Sequence, residues 1–551
     1  MAQAVASPAP TSVAKGPPLS RRSDASDRIH GTVISDPYRW LEDSRSPEVS
    51  AWTEQQNAYA RKYLDELPLH SALAARLKEL LYIGDVDATT PRHGKYFFRR
   101  REPGQEKHRL YVKDGMAGAE RVLVDPNGWP PDEHKTLQGY WPSPNGEYVA
   151  LKTSGNNSDE AQIELIDGKQ GSTVEIVPGV RYEDIVWNAT GKGVYYTWYP
   201  SGSGAFAKSE VRFHALGTDP VKDTTIAPPT GQPDVEQYVV ASPDGRWLIL
   251  HKSTGWLKTD LYFADARTPT NWRPLVVGKD ARYSAAAYKD GTHGFLMLMH
   301  NKNAVPDGSA SAYLTGYGAH GISMRARYVP STYAWLERGG VFARAIIRGG
   351  GEYGEEWHRQ GMLTHKQNSI DDFIAAAEEL VRRGWTRPER LVIGGTSMGG
   401  LLVAATVTQR PDLFGAAITE APLTDLVRYP LSGAGKAWLN ELGDPEKSDE
   451  FAALWGYSPY HHVRSGGGYP ATLVMTSDSD DRVDPMHARK FVAALQNAAP
   501  RGPVLLTVEK NQGHNTPDTV LSFVNALSDM FAFGLAQMGG RADVPRAATA
   551  K

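Results

Sequence analysis

The stretch IGGTSMGGLL, residues 393–402, places one hydroxyl among glycines between two apolar runs. The apolar, β-branched residues 391–393 predict a buried strand, and the residues from Met398 onward predict a helix. The flanking glycines therefore mark a tight strand-to-helix turn that matches G-x-S-x-G. This context predicts that Ser397 is a nucleophile at the carboxyl edge of a sheet, over a helix N-terminus that favours developing negative charge.

A serine hydroxyl needs a base and an orienting acid, and the downstream strands end at candidates for both. The run ATLVMT, residues 471–476, leads to the acids Asp478, Asp480 and Asp481, and PVLLTVE, residues 503–509, leads to His514. Acid before histidine is the chain order of α/β-hydrolases. Among sixteen histidines, we therefore predict His514 as the base, with a surface-loop histidine as the alternative. Histidines without a strand-end position are predicted to be structural: His358, His365, His461 and His462.

A phrase made of a turn followed by an aromatic strand recurs four times before this region. Its copies are HGKYFFRR, SPNGEYVALK, ATGKGVYYTW and SPDGRWLILH, with turn glycines at Gly94, Gly146, Gly191 and Gly245. The glycines lie roughly 50 residues apart, close to the length of a four-stranded propeller blade. The recurrence predicts a β-propeller of about four blades; a β-sandwich with accidental spacing is the alternative.

The combined pattern predicts a doubly wound, mostly parallel α/β-hydrolase sheet and an all-β propeller. We predict a flexible tail at 1–27, an N-terminal helical segment at 28–81 that packs on the hydrolase domain, a shortened propeller at 82–287, the catalytic domain at 288–540 and a second tail at 541–551. In the helical segment, Pro47 predicts a first helical position and Pro68 an interruption. In the catalytic domain, Ser369 with Asp372 predicts a capping box.

Composition excludes several classes of protein. The 551 residues suit two structural units, and 40% hydrophobic with 22% charged residues is ordinary for a globular chain. A net charge of -3 argues against nucleic-acid binding, and zero cysteines exclude disulfides and thiol catalysis. We find no run of about 18 uninterrupted apolar residues and no export signal, so we expect no membrane span and either a cytoplasmic or a periplasmic location. The serine chemistry requires no metal or organic cofactor.

Several longer motifs carry a family resemblance. They are DPYRWLED (36–43), RGGGEYGEEWHRQG (348–361), GGTSMGGLL (394–402), SPYHHV (458–463) and DSDDRVDPMHARKF (478–491). With these motifs the chain resembles the prolyl oligopeptidase family of serine peptidases. The resemblance implies a seven-bladed propeller over an α/β-hydrolase domain, and cleavage of short peptides after proline. Seven blades of roughly 40 residues would need at least about 280 residues, so we expect about three blades to be missing here.

The resemblance also implies roles for individual residues. Asp480 matches the triad acid, while Asp481 is a solvated or structural neighbour. Tyr317 resembles the tyrosine that joins the Met398 amide in the oxyanion hole, with a packing role as the alternative. Arg482 resembles the arginine that holds a substrate carbonyl, with an ordinary salt bridge as the alternative.

The implied proline pocket differs in part from the family pattern. Trp438 matches the tryptophan that stacks on proline, with a core role as the alternative, and Leu423 and Val483 complete the apolar wall. Met398 and His320 stand where asparagine and phenylalanine are frequent. These departures bear on substrate preference more than on reaction class.

We therefore expect a serine endopeptidase that acts on short proline-containing peptides through an acyl-enzyme. The alternatives are a broader oligopeptidase or esterase of the same fold and a catalytically impaired propeller that binds proteins. A basic-residue-directed peptidase is disfavoured because the implied pocket offers no acidic partner. We expect a monomer, with oligomerisation if the propeller ring is open.

Overall fold

A computed structural model of the chain describes residues 16–182, 185–200, 205–242, 245–255, 258–278, 295–300, 305–325, 329–515 and 517–538. These residues form an N-terminal segment, four antiparallel β-sheets and one seven-stranded α/β sheet. Residues 541–551, predicted as a tail, lie outside the described ranges, as does the predicted boundary at 287/288.

The N-terminal segment begins with a hairpin. It consists of β1 (Ser26–Ile29), β2 (Thr32–Ser35), α1 (Pro47–Asp65) and α2 (His70–Leu81). The predicted tail of 1–27 is wrong for its described part, residues 16–27, because Ser20 is buried and its Oγ accepts a 3.0 Å hydrogen bond from Trp52 Nε1. The predicted helical segment of 28–81 likewise starts with extended chain. Composition could not reveal this anchor, since the partner lies 32 residues away.

Four antiparallel sheets follow, and each predicted turn glycine lies before the second main strand of one sheet. Sheet 1 has β3 (Asp85–Val86), β4 (Thr90–Arg92), β5 (Lys95–Arg101), β6 (Arg109–Asp114) and β7 (Arg121–Val124); sheet 2 has β8 (Lys135–Pro142), β9 (Tyr148–Gly155), β10 (Ala161–Asp167) and β11 (Thr173–Val180). Sheet 3 has β12 (Val186–Trp187), β13 (Gly193–Trp198), the short α3 (Ala205–Lys208), β14 (Glu210–Ala215) and β15 (Thr224–Ala227); sheet 4 has β16 (Val235–Ala241), β17 (Trp247–Thr254), β18 (Lys258–Asp265) and β19 (Arg273–Val276). The four glycines have φ values of 78, 66, 67 and 66° in chain order, in the left-handed region that glycine adopts without strain.

The four sheets are successive blades, each of which packs against the next. Residues of β4, β8, β12 and β16, the innermost strands, line one cavity of about 680 Å³. Indole hydrogen bonds link neighbouring blades: Trp187 Nε1 donates to Trp141 O at 2.8 Å, and Trp272 Nε1 donates to Ile226 O at 2.9 Å. The described residues thus form four successive propeller blades, where the resemblance implies seven.

The catalytic domain is built on a seven-stranded sheet. Its elements are β20 (Phe295–His300), β21 (Ala312–Thr315), α4 (Tyr333–Leu336), β22 (Val341–Ile346), α5 (Glu355–Arg359), α6 (Gln367–Arg382), β23 (Leu391–Thr396), α7 (Met398–Gln409), β24 (Ala416–Glu420), α8 (Leu439–Leu442), α9 (Ser448–Tyr457), β25 (Ala471–Ser477), α10 (Met486–Asn497), β26 (Val504–Glu509) and α11 (Val520–Gln537). The strand order is β20-β22-β21-β23-β24-β25-β26, and only β20 pairs antiparallel. The sheet is therefore mostly parallel, and the strands that follow β21 on this path deliver their carboxyl ends to one edge.

Helices cover both faces of this sheet. The core on one face includes residues of α6, α7 and α10, and the core on the other includes residues of α1, α2 and α11. Both chain ends thus contribute to the second layer. Within the described part of the chain, α11 is the one helix long and apolar enough to cross a membrane, but half of its apolar window is buried in this core. Its Asp529 also pairs with Arg61 at 2.6 Å.

The start of α6 differs from the predicted capping box. The helix begins at Gln367, so Ser369 lies inside it, and its Oγ bonds to the carbonyls of Gly318, Arg348 and Gly361. Asp372 binds the Arg348 guanidinium at 2.6 Å instead of capping the helix. The cap prediction is wrong because both side chains are taken by a loop that lies next to the helix only in the folded protein.

Candidate active site

Ser397 lies on the sharp turn between β23 and α7, as the sequence predicts. Its φ of 59° and ψ of -119° are strained for a residue with a side chain, and its backbone N–H donates to Glu420 O on the next strand at 2.9 Å. A Cβ on Gly395 would lie 2.3 Å from Gly399 O, and one on Gly399 would lie 2.8 Å from Gly316 O. The glycines are therefore required by the close approach of the backbone at this turn.

Asp480 and His514 form the second half of the predicted triad. Asp480 follows β25, His514 follows β26, and Asp480 Oδ2 lies 2.8 Å from His514 Nδ1. The other carboxylate oxygen accepts hydrogen bonds from the backbone N–H groups of Arg482 and Val483 at 3.0 and 2.9 Å. Both side chains are buried, with 1% and 5% exposed, so the carboxylate holds the imidazole in one orientation.

The remaining contact of the triad is not closed in this structure. Within the described residues, which include both side chains, no hydrogen bond joins His514 to Ser397 Oγ. Both residues lie at the same sheet edge, where Glu420 contacts the backbone of Ser397 and also lines a cavity with Asp480 and His514. In enzymes of this kind such contacts often tighten only in the substrate complex.

Tyr317 lies in the loop after β21, beside the nucleophile turn. Burial raises the pKa of its phenol, and a contact with Ser397 acts in the opposite direction. A protonated phenol is thus available at neutral pH to donate a hydrogen bond next to the serine. The phenol and the N-terminal amide of α7 at Met398 are therefore the two candidate donors for an oxyanion hole.

The predicted pocket residues belong to the apolar core on one face of the sheet. Trp438, Leu423, Val483 and Met398 are all buried, with 9%, 0%, 1% and 2% exposed, and Tyr317 packs against the same core. His320 lies beside Tyr317, with their ring centroids 6.4 Å apart, and its backbone N–H donates to buried Glu441 Oε1 at 2.9 Å.

Arg482 binds the propeller. Its guanidinium makes a bidentate pair with Asp159, with donor–acceptor distances of 2.8 and 2.6 Å, and Asn515 Oδ1 accepts a further bond at 3.3 Å. The salt-bridge alternative is thus present, with a partner that the sequence did not indicate. The polar run GNNSDE, residues 155–160, indicates a tight turn, since paired asparagines favour left-handed conformations, but it does not indicate which residue this turn contacts.

The same propeller loop also holds the residues beside the triad. Asp481 accepts hydrogen bonds from Ser158 Oγ and from the Asp159 N–H, both at 3.2 Å. A Cβ on Gly513, next to His514, would lie 2.5 Å from Asn157 O. Asp481 is therefore a structural neighbour that joins the two domains.

The motif DPYRWLED places its acids around a buried lysine. Carboxylates of Asp36, Glu42 and Asp425 lie close enough together to suggest a metal site. Lys490 Nζ, however, lies 2.8, 2.8 and 2.6 Å from them. The ammonium supplies the positive charge at this place and fastens the N-terminal segment to α10.

Comparisons with known proteins agree with this geometry. Residues 17–307 match the family model described as "Prolyl oligopeptidase, N-terminal beta-propeller domain", and residues 327–541 match "Prolyl oligopeptidase family". The chain belongs to the prolyl oligopeptidase family. Relatives include the prolyl endopeptidase of Elizabethkingia meningoseptica, 27% identical with 95% of each chain covered. The 677 aligned positions exceed the 551 residues of this chain, so the alignment leaves gaps in it.

Solved structures of the prolyl oligopeptidase family share the same architecture. One comes from a study of two prolyl endopeptidases and their inter-domain dynamics; it is 32% identical, has a TM-score of 0.88 and covers 95% of this chain and 100% of its own. Prolyl oligopeptidase B of Galerina marginata, bound to a 35mer hydrolysis and macrocyclization substrate, is 22% identical with a TM-score of 0.86, covering 96% and 99%. At 22% identity, the similarity to the Galerina marginata structure shows a shared fold and nothing more.

The two interpretations of Arg482 predict different kinetics. We expect Arg482→Ala to raise KM for a proline peptide about tenfold or more, since a hydrogen bond from a charged donor contributes about 1.5–3 kcal/mol. Asp159→Asn removes the ion pair but keeps Arg482 available, so KM should change much less. Steady-state kinetics and thermal unfolding of both variants test this. Equal KM values for the two variants would show that Arg482 forms the salt bridge with Asp159 but does not bind the substrate.

Proposed function

We propose that this chain is a serine-type prolyl endopeptidase that hydrolyses short peptides on the carboxyl side of proline. The observation that carries the proposal is the strained Ser397 turn at the same sheet edge as the Asp480–His514 pair, beside the apolar core that includes Met398 and Trp438. Family membership supports it, as do relatives named prolyl endopeptidase.

The residues assign the steps of acyl transfer. Asp480 holds Nδ1 of His514 so that Nε2 faces the nucleophile, and His514 removes the Ser397 proton as the hydroxyl attacks the carbonyl. The Tyr317 phenol and the Met398 amide stabilise the oxyanion. His514 then protonates the leaving amine, and water attacks the acyl-enzyme by the same route to release the acid and restore Ser397.

The apolar pocket explains the preference for proline. A flat indole wall complements a rigid pyrrolidine ring, and Leu423 and Val483 add apolar surface. The acid nearest in sequence, Glu441, is 1% exposed and is bound by His320 and His358. It therefore does not offer a carboxylate to a basic side chain in the pocket.

Chromogenic peptides with proline, arginine or alanine before the scissile bond, assayed beside a simple acyl ester, test the proposal. We expect proline to give the highest kcat/KM. Comparable rates on all three peptides would instead identify a broader oligopeptidase. Turnover of the ester alone would identify an esterase, and no turnover at all would favour a binding protein.

The four blades support a second proposal, on substrate size. A smaller cap should admit longer peptides than a seven-bladed one does, because less surface covers the catalytic edge. We expect the kcat/KM of a 30-residue proline peptide to lie within about tenfold of that of an octapeptide with the same cleavage site. Mass spectrometry of timed digests measures both rates. Exclusion of the 30-residue peptide would show that four blades restrict access fully.

A further inference from the structure

A buried group of ionisable side chains lies beside the loop that carries Tyr317 and has no part in the steps above. It consists of His320, His358, Lys366 and Glu441, none more than 6% exposed. Charged groups are costly to bury unless they are paired, so their position here calls for a physical reason.

Glu441 is the centre of this group. Its Oε1 accepts from the His320 backbone N–H at 2.9 Å, and its Oε2 lies 2.8 Å from His358 Nε2. Lys366 Nζ lies 3.7 Å from Oε1. Burial alone would raise the pKa of Glu441, but His320, His358 and Lys366 hold it well below its usual range. The pKa of His358 is raised to about 9, its pairing with Glu355 and Glu441 outweighing burial, so a carboxylate faces an imidazolium at neutral pH.

The group holds the loop that carries Tyr317. On one side of Tyr317, the carbonyl of Gly318 accepts hydrogen bonds from Lys366 Nζ at 2.7 Å and from Ser369 Oγ at 3.3 Å. Further along, His320 has a φ of 59° and is held in this left-handed conformation by the bond from its N–H to Glu441. The short loop between β21 and His320 is thus fixed by three buried side chains, those of Lys366, Ser369 and Glu441.

Glu441 also belongs to the segment that carries the proline pocket. It lies in α8, which directly continues the short turn Gly435–Trp438. Leu442, the next residue, is 0% exposed in the same core cluster as Trp438. One carboxylate therefore connects the tryptophan wall of the pocket to the loop of the phenol.

We propose that Glu441 is a positioning residue that sets Tyr317 relative to Trp438, so that the oxyanion donor and the proline wall are aligned on one substrate. This inference rests on the proposed function for the identity of the substrate. Its predicted effect on the rate depends on the position of Tyr317 in the loop after β21. Misplacement of a catalytic group by about 1 Å can reduce a rate about 100-fold, which makes such an anchor significant.

A double-mutant cycle separates positioning from a merely structural role. The variants are Glu441→Gln, Tyr317→Phe and their combination, assayed for kcat and KM on a proline substrate and for the acylation rate by a simple ester. Glutamine keeps the side-chain size but has only one carbonyl oxygen, so it cannot accept hydrogen bonds at both positions, from the His320 N–H and from His358 Nε2. It also carries no charge to pair with His358. We expect Glu441→Gln to lower kcat about 10- to 100-fold with little change in KM. In the Tyr317→Phe background the same substitution should cost less than about threefold.

Asp36→Asn is the matched control, because Asp36 is also a buried carboxylate bound to a buried lysine. It should lower the melting temperature while the folded protein keeps its kcat. Equal losses from Glu441→Gln with and without the Tyr317 hydroxyl would overturn the inference, as would an unchanged kcat.

Two further measurements keep this result interpretable. If Glu441→Gln does not fold, His358→Gln removes one donor to Glu441 and should show the same dependence on Tyr317. The ester distinguishes the two proposals. If the wild-type protein shows no preference for proline, the proposed specificity is contradicted. Coupling between Glu441 and Tyr317 would still appear in ester acylation.

Discussion

Ser397→Ala should lower kcat for a proline peptide by about 10⁴- to 10⁶-fold, with the melting temperature unchanged or raised. Without Oγ no acyl-enzyme can form, and only unassisted water attack in the oxyanion hole remains. Removing the side chain from a residue with a φ of 59° also leaves the turn no more strained than before. Single-turnover kinetics and mass spectrometry after a fluorophosphonate measure both the rate and the loss of the covalent adduct.

Ser448→Ala is a suitable control for this substitution. Ser448 is exposed at the start of α9 and should keep full activity and labelling. Retention of more than about one hundredth of the activity in Ser397→Ala would show that another group is the nucleophile.

Asp480→Asn should lower kcat by about 10⁴-fold. The amide keeps the size of the carboxylate, but its NH₂ group would favour the imidazole tautomer with the proton on Nε2, which cannot act as a base. The two backbone N–H groups that bind Oδ1 would also hold the amide in place, so we expect the fold to persist. Steady-state kinetics with circular dichroism of the folded protein measure this loss.

Asp481→Asn, at the neighbouring position, is the matched control. Asp481 binds Ser158 and the Asp159 amide in the propeller, so its substitution should lower stability and leave kcat nearly intact. A larger kcat loss from Asp481→Asn than from Asp480→Asn would reverse the two assignments.

Blade number and triad order were predictable because their signals are local. Each blade is marked by a left-handed glycine followed by an alternating aromatic run, and both depend on only a few consecutive residues. The four copies of this pattern correspond to the four observed blades. Likewise Ser397, Asp480 and His514 follow three apolar strands, and a parallel sheet brings such strand ends to one edge.

Other features could not be predicted from the sequence because they depend on contacts between residues that are distant along the chain. The start of α6 shows this: Ser369 and Asp372 have the spacing of a capping box, yet both bind a loop that the sequence places 8 or more residues away. The tail prediction failed in the same way, since one buried serine beside Trp52 anchors a run that composition marks as flexible.

Short patterns along the chain were sufficient to predict the reaction class, the two kinds of domain and a candidate triad. The pairing of Arg482 with Asp159, 323 residues away, and of Glu441 with His320, 121 residues away, became visible only in the folded protein. Such pairs depend on how whole domains and loops pack, and a buried charge finds its partner only when that packing is complete.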